Sequence, residues 1–305
     1  MNISSRCILC LLNKEEAGIR ACLDEHQKAE YLKDVMRIML EADPADTMPW
    51  ISDQIRQLQP PVPRSLPDYA KIKTYFNTIL LEMEPMLKNA IEQEFDPLSY
   101  ALRLARCGNY IDFGAMDHVD EDILYSLLKQ VKEETLDASV YQRFLSQAAN
   151  SSSLLYLCDN CGEIVLDKLL ILQLQKHFPH LQIAVMVRGG EVLNDATMRD
   201  VRQIHLDEVC TCTSSQVPLA GCDLRHIGED ARALLASSDM IIAKGQANFE
   251  SLYGCGLPIY YLLLCKCDYF CERFQMHHLK GIFAYEKTLE ISNAKKDGSW
   301  NPGIR

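Results

Sequence analysis

Long hydrophobic runs are missing from this sequence: none approaches the roughly 18 residues that a membrane-spanning helix needs. Residues 1–10 also lack the apolar core and small-residue cleavage site of a secretion signal. The expectation is a cytoplasmic protein with no membrane partner. Positive charge is in short supply, with 31 Lys and Arg against 42 Asp and Glu and a net charge of −11. That balance excludes a general nucleic-acid binder, which needs a basic face. A small anionic substrate stays open, because one or two local cations or a metal decide its binding. Internal repeats and low-complexity tracts are absent as well.

Apolar residues are plentiful. At 305 residues and 48% hydrophobic, the chain can bury a sizeable core in one large domain or two smaller ones, and the expectation is a folded rather than a disordered protein. Cysteine is abundant too: thirteen without a secretion signal point to free thiols in a reducing cytosol. Cys7-x-x-Cys10, followed by Cys22 and His26, has a spacing that could hold zinc, but buried free thiols are the preferred reading. Cys158 and Cys161 are read as packing residues.

Up to about residue 150 the pattern is helical. "YLKDVMRIML" sets Tyr31, Val35 and Ile38 on one face, and this helix should stop before Asp43-Pro44. "QPPVPRSLP" (59–67) reads as a loop with polyproline character. Ser65 is placed to cap a long helix starting near Pro67, which Pro85 should kink or break. Amphipathic stretches follow near 121–131 and 137–149. After a hinge at "NSSS" (150–153), short strand-like runs at 154–158, 182–187, 207–212, 239–243 and 259–264 alternate with helical segments. This alternation implies an α/β fold with a mostly parallel, doubly wound, Rossmann-like sheet. The expected division is an N-terminal all-helical domain (1–150) capping the crevice of an α/β domain (151–305).

Ligands on such sheets bind outside the carboxyl ends of the strands. The first strand runs into Asp159-Asn160-Cys161-Gly162-Glu163 and the second into "RGGEVLNDAT", with Arg188, Asn194 and Asp195. The fourth ends at "KGQANFESL" and the fifth at Lys266. Two carboxylates and a side-chain carbonyl suit a hard divalent cation such as Mg²⁺ or Mn²⁺. Unneutralised, Asp159 and Asp195 about 4 Å apart would repel by roughly 4 kcal/mol at an effective dielectric near 20. Lys266, Lys244 and Arg188 are candidate cations for a phosphate, and the helix after Gly162 points its N-terminal amides at the crevice. Each element also has a plainer reading. Asp159, Asn160 and Asp195 could be helix caps, Glu163 could satisfy its own first helical turn, Lys244-Gly245 could be a strand-exit turn, and Lys266 a solvated strand end.

"LCDNCGEIVLDKLL", "VRGGEVLNDATMRD", "SDMIIAKGQANFESL" and "LLLCKC" resemble the metal-dependent damage-control phosphatases, known also as domain of unknown function 89, and their stand-alone prokaryotic-type branch in particular. "CILC", "KIKTYFNTIL" and "DPLSYALRLARCGNYIDFGA" extend the likeness over nearly the whole chain. The resemblance implies metal ligands at Asp159, Asn160 and Asp195 and a phosphate-contacting Lys266. It places Asn194 beside the metal, Lys244-Gly245-Gln246 along the substrate pocket, and Asn109 and Asp112 at the same crevice; Arg188 and Glu163 join the expected substrate-binding residues from their place at the strand ends. The implied cofactor is a divalent ion: Mn²⁺, Mg²⁺, Co²⁺ or Ni²⁺. Two departures stand out: Cys161 where the branch has Ala or Ser, and Ala247 where it has Gly, which limits positive φ there.

The expected activity is hydrolysis of small phosphorylated metabolites, sugar phosphates or damaged phosphometabolites, by a metal-dependent phosphomonoesterase. Either water or an Asp (159 or 195) is the nucleophile. One rival is an S-adenosylmethionine-dependent carboxyl methyltransferase, although such enzymes carry a Gly-rich loop where Asp159-Asn160 stands. The other is a non-catalytic metal or sugar-phosphate binding module.

Overall fold

The structure, a computed structural model, describes residues 3–21, 23–58, 68–108, 129, 131, 132 and 134–289. The loop at 59–67 with Ser65, nearly all of the stretch 121–131, Cys22, Asn109 and Asp112 lie outside the described residues.

Helices α1 (Ser5–Ile19), α2 (Glu25–Glu41) and α3 (Met48–Gln57) share a small apolar cluster of Leu11, Ile19, Tyr31, Val35, Ile51 and Ile55. Asp24 opens α2 with a capping box to Gln27, and α2 ends before Asp43-Pro44, as its sequence requires. Cys7 and Cys10 both lie in α1 as free thiols. This unit docks on the loop after the third strand: Thr47 Oγ1 donates to Asp223 Oδ2 at 2.8 Å, and the Trp50 ring stacks on His226 at 3.5 Å.

Helix α4 (Tyr69–Glu92) starts from an Asp68 cap and is not broken at Pro85, one of the two outcomes expected there. Pro85 lies on the exposed side, while Leu80, Met83, Leu87 and Ile91 anchor both halves of the helix in the main core. Burial on that stripe outweighs the one backbone bond that proline removes. Helices α5 (Pro97–Gly108) and α6 (Ala138–Asn150) follow.

From Ser153 the chain alternates as expected. Strands β1 (Ser153–Leu157), β2 (Gln182–Val187), β3 (Thr211–Ser214), β4 (Met240–Lys244), β5 (Ile259–Leu264) and β6 (Gly281–Tyr285) form one six-stranded sheet. The order is β3-β2-β1-β4-β5-β6, with β1–β5 parallel and β6 antiparallel to β5. Helices α7 (Glu163–His177), α8 (Met198–Gln203), α9 (Glu229–Ser237), α10 (Gly245–Leu252) and α11 (Asp268–Phe274) connect the strands. Two details differ from the sequence reading. Residues 206–208 form a 3₁₀ turn whose Leu206 is buried, so the third strand starts only at Thr211. The antiparallel edge strand β6 was not foreseen.

Strand pleating splits the core. Leu154, Tyr156, Val185, Ile242 and Leu262 face one side, under α4–α7, and that packing runs across the helix-to-strand change near residue 150. Leu155, Leu157, Ile241, Tyr261 and Leu263 face the other side, with Phe249 of α10 and Phe270 of α11. The order reverses between β1 and β4, so their carboxyl ends open a crevice at the switch point. Among the described residues, no helix is long and apolar enough to cross a membrane.

Candidate active site

The crevice is stitched together by backbone before any side chain acts. Beyond β1, the Asp159 carbonyl accepts from Ala196 N–H at 2.8 Å and Cys161 N–H donates to the Asn194 carbonyl at 2.9 Å. Beyond β2, Arg188 N–H donates to the Ala196 carbonyl at 2.9 Å. Asn160 and Asp195 therefore pair as an isolated antiparallel bridge, and Arg188 and Thr197 as a parallel one. Leu193, with φ +46°, supplies the turn that sends Asn194 and Asp195 back toward β1. Two segments distant in sequence, 159–161 and 188–197, are held side by side.

Side chains converge on that frame. Arg188, 2% exposed, donates from Nε to Asp195 Oδ2 at 2.6 Å and from Nη2 to Asp159 Oδ1 at 3.2 Å. Its Nη1 donates to Asn248 Oδ1 at 3.1 Å. Asp159 and Asp195 thus face a common centre. Asn160 Nδ2 donates to Asp159 Oδ2 at 2.9 Å and Glu163 Oε2 at 3.1 Å, while its Oδ1 accepts from Asn194 Nδ2 at 2.9 Å. Gly245, at φ +77°, presses against the same carboxylate from the β4 side.

Three expectations about direction are revised. Lys244 does not face the crevice: it is fully buried, with Nζ 2.5 Å from Glu163 Oε1 and 2.5 Å from Asp167 Oδ1. The first amides of α7 are not aimed at a ligand either. Gly162 N–H donates to Asn77 Oδ1 at 2.6 Å, Glu163 N–H to the Cys161 carbonyl at 2.7 Å, and Ile164 N–H to the Asn160 carbonyl at 3.2 Å. Arg188, expected to meet substrate, is instead the counter-ion shared by the two aspartates. Gln246 donates to Glu250 Oε1 at 2.8 Å on α10. Ala247 lies inside α10, where alanine is favoured, and the positive φ falls on Gly245, so that departure from the family pattern leaves the turn intact. Lys266 is half-buried at the end of β5.

Burial first, then the charges of Glu163 and Asp195, push the Asp159 carboxyl up to about 8; Arg188 and Lys266 pull the other way. Burial is also the first influence on Lys244 and lowers its pKa, but Asp167 and Glu163 outweigh it and the net direction is up. Burial raises the thiols of Cys158 and Cys161 well above their ordinary value, which fits packing residues.

A second layer escaped the sequence reading. Lys73 of α4, 2% exposed, sends Nζ to Glu191 Oε2 at 2.8 Å and Asp200 Oδ2 at 2.9 Å. One turn later Asn77, fully buried, donates to Asp200 Oδ1 at 2.9 Å while accepting from Gly162. The signal was available: two polar residues at i, i+4 on the buried stripe of a helix. Asn248 and Asp167 were missed likewise. Gly108, the last described residue before Asn109, packs on the α7 start, where a Cβ would meet Glu163 Cγ at 2.9 Å.

The fold and the site together define a doubly wound α/β protein whose switch-point crevice gathers carboxylates and amides around one buried guanidinium. Residues 3–279 match the damage-control phosphatase ARMT1-like domain, and the chain belongs to that family. It is 26% identical to an uncharacterised protein of Methanocaldococcus jannaschii over 88% of this chain and 90% of that one. It is 30% identical to the damage-control phosphatase of Archaeoglobus fulgidus over 66% of this chain and 69% of that one. The crystal structure of a DUF89 family protein from Pyrococcus horikoshii superimposes with a TM-score of 0.74 at 21% identity, covering 94% of this chain and 99% of that chain, and so shares its fold.

Proposed function

We propose that this protein is a metal-dependent phosphatase that hydrolyses small phosphorylated metabolites, with Asp159, Asn160 and Asp195 holding a divalent cation. The observation that carries the reading is the pair of contacts made by Arg188, which brings Asp159 and Asp195 onto one centre beside Asn160. The donor set fits the group: carboxylate and amide oxygens are hard ligands of the kind Mn²⁺ and Mg²⁺ take. The charges fit too. Once all are ionised, buried Asp159, Asp195, Glu163 and Asp167 carry four negative charges against the two positive charges of Arg188 and Lys244, a surplus that a divalent cation would neutralise. A cation bound there supplies Lewis-acid polarisation of a phosphoryl oxygen and activation of water.

The chain's own residues do the rest. Arg188 holds the aspartates at a fixed separation, so no reorganisation is needed when charge develops. Lys266 lies near enough to Asp159 for its charge to lower that pKa, and from the end of β5 it offsets charge on the phosphoryl oxygens. The start of α10, at Gly245, sets the positive end of a helix against the Asp159 side of the crevice.

The test is phosphate release from p-nitrophenyl phosphate and a panel of sugar phosphates with Mn²⁺, Mg²⁺, Co²⁺ or Ni²⁺. The reading expects turnover that disappears with EDTA and in Asp159→Asn. Metal binding without turnover of any phosphate ester contradicts it, as does methyl transfer from S-adenosylmethionine to a protein acceptor.

A further inference from the structure

Beneath the crevice lies a buried charged row that the proposed chemistry does not use directly. Tyr156 donates its hydroxyl to Asp167 Oδ1 at 2.7 Å, Lys244 Nζ bridges Asp167 and Glu163, and Glu163 Oε2 accepts from Asn160 Nδ2. Tyr156, Glu163, Asp167 and Lys244 are all fully buried. Desolvating such a row is costly, and apolar residues of similar volume would pack at least as well.

What the row does follows from the chemistry of an amide. The two ends of an asparagine side chain are nearly the same shape, and only hydrogen-bond partners decide which end faces where. On one side of Asn160 stand two carboxyl oxygens that accept from its Nδ2, Asp159 Oδ2 at 2.9 Å and Glu163 Oε2 at 3.1 Å, and on the other Asn194 Nδ2 donates to its Oδ1 at 2.9 Å. Turned over, Asn160 would press its oxygen against both carboxylates. Asp159 is itself a proposed cation ligand, whereas Glu163 is turned away to Lys244 through its other oxygen. Glu163 has little freedom to leave: it opens α7, its N–H is tied to the Cys161 carbonyl, and Gly108 lies so near that a Cβ there would meet its Cγ at 2.9 Å.

We infer that Glu163 is a positioning residue: by accepting one of the Asn160 amide hydrogens it helps Asn160 present its carbonyl oxygen to the divalent cation, and Lys244 clamps Glu163 in that pose. This inference rests on the proposed metal site. It reassigns Glu163 and Lys244, expected from sequence to touch substrate, to a supporting role under the ligands.

The test is a double-mutant cycle read as the Mn²⁺ dissociation constant by titration calorimetry, with melting of the metal-free proteins as the folding check. Glu163→Gln weakens Mn²⁺ binding by about tenfold to a hundredfold, the usual effect of losing a partner behind a metal ligand. Asn160→Asp offers oxygen at both ends, so adding Glu163→Gln to Asn160→Asp costs nothing or tightens binding. If Glu163 acted only as a nearby negative charge, Glu163→Gln would weaken binding by the same factor in both backgrounds, and the inference falls. Glu163→Asp is the second variant: it keeps the charge but withdraws it from Asn160, and undiminished binding there also overturns the inference. Failure of the metal site itself is separately visible, as Mn²⁺ binding that is equal in the wild type and Asp159→Asn.

Discussion

Gly245 sits so close to Asp159 that a Cβ built on it would fall 1.8 Å from Asp159 Oδ2, and its φ of +77° already disfavours any side chain. Gly245→Ala must therefore displace the carboxylate that the proposed cation needs. The expected outcome is a loss of phosphatase activity of about a hundredfold or more, since small misplacements at a reacting centre are that costly. Steady-state kinetics at saturating Mn²⁺ checks this, and near wild-type kcat/KM would contradict it.

Asn77 ties α4 to the start of α7 through Gly162 N–H. Asn77→Ala leaves that buried amide and one Asp200 oxygen without this partner, for a loss of about 1–3 kcal/mol. Urea denaturation of the metal-free protein reads it as a lower midpoint with an unchanged slope. An unchanged midpoint would show that Asn77 contributes nothing to the frame.

Much of this arrangement was legible in the sequence. Parallel strands buried on both faces read as apolar runs, so β1, β2, β4 and β5 stood out, and Asp159, Asn160 and Asp195 were placed by the loops that follow β1 and β2. The edge strands were harder. β3 is the polar stretch "TCTS", half-exposed and without an apolar signature, and the expected strand at 207–212 took in the partly buried Val209 and Cys210 just upstream of it. β6 is five residues ending a region without a parallel crossover. For Lys244 and Arg188 the sequence carried the charge but not its direction. Lys244 was recoverable from pleating, because it shares a face with Ile242, which packs against the core under α4–α7. The role of Arg188 depended on the Asn160–Asp195 and Arg188–Thr197 bridges, long-range pairings that no local pattern encodes.

Lys266 is expected to act on the phosphoryl group and not on the cation. Lys266→Met should lower kcat by about a hundredfold or more, in line with loss of one preorganised charge partner, while the Mn²⁺ dissociation constant stays within a few-fold of wild type. Parallel kinetics and metal titrations check the split. Unchanged kcat, or metal binding lost together with kcat, would refute it.

The raised pKa of Asp159 has a signed consequence. Its ordinary value is 3.8 and the folded value is about 8, so between those pH values the folded chain keeps a proton that the unfolded chain releases. Through this group, metal-free stability falls as pH rises across that window. A divalent cation takes the proton's place and binds better as pH rises. The gain in Tm on adding Mn²⁺ should therefore be larger at pH 8 than at pH 6, and thermal melts with and without metal at both values read it. An equal gain would contradict the assignment.

The most direct measurement is an anomalous difference map from crystals soaked in Mn²⁺. A single strong peak is predicted within roughly 2.0–2.2 Å of oxygens from Asp159, Asn160 and Asp195. A peak held by other residues, with these three side chains left as they stand around Arg188, would contradict the account.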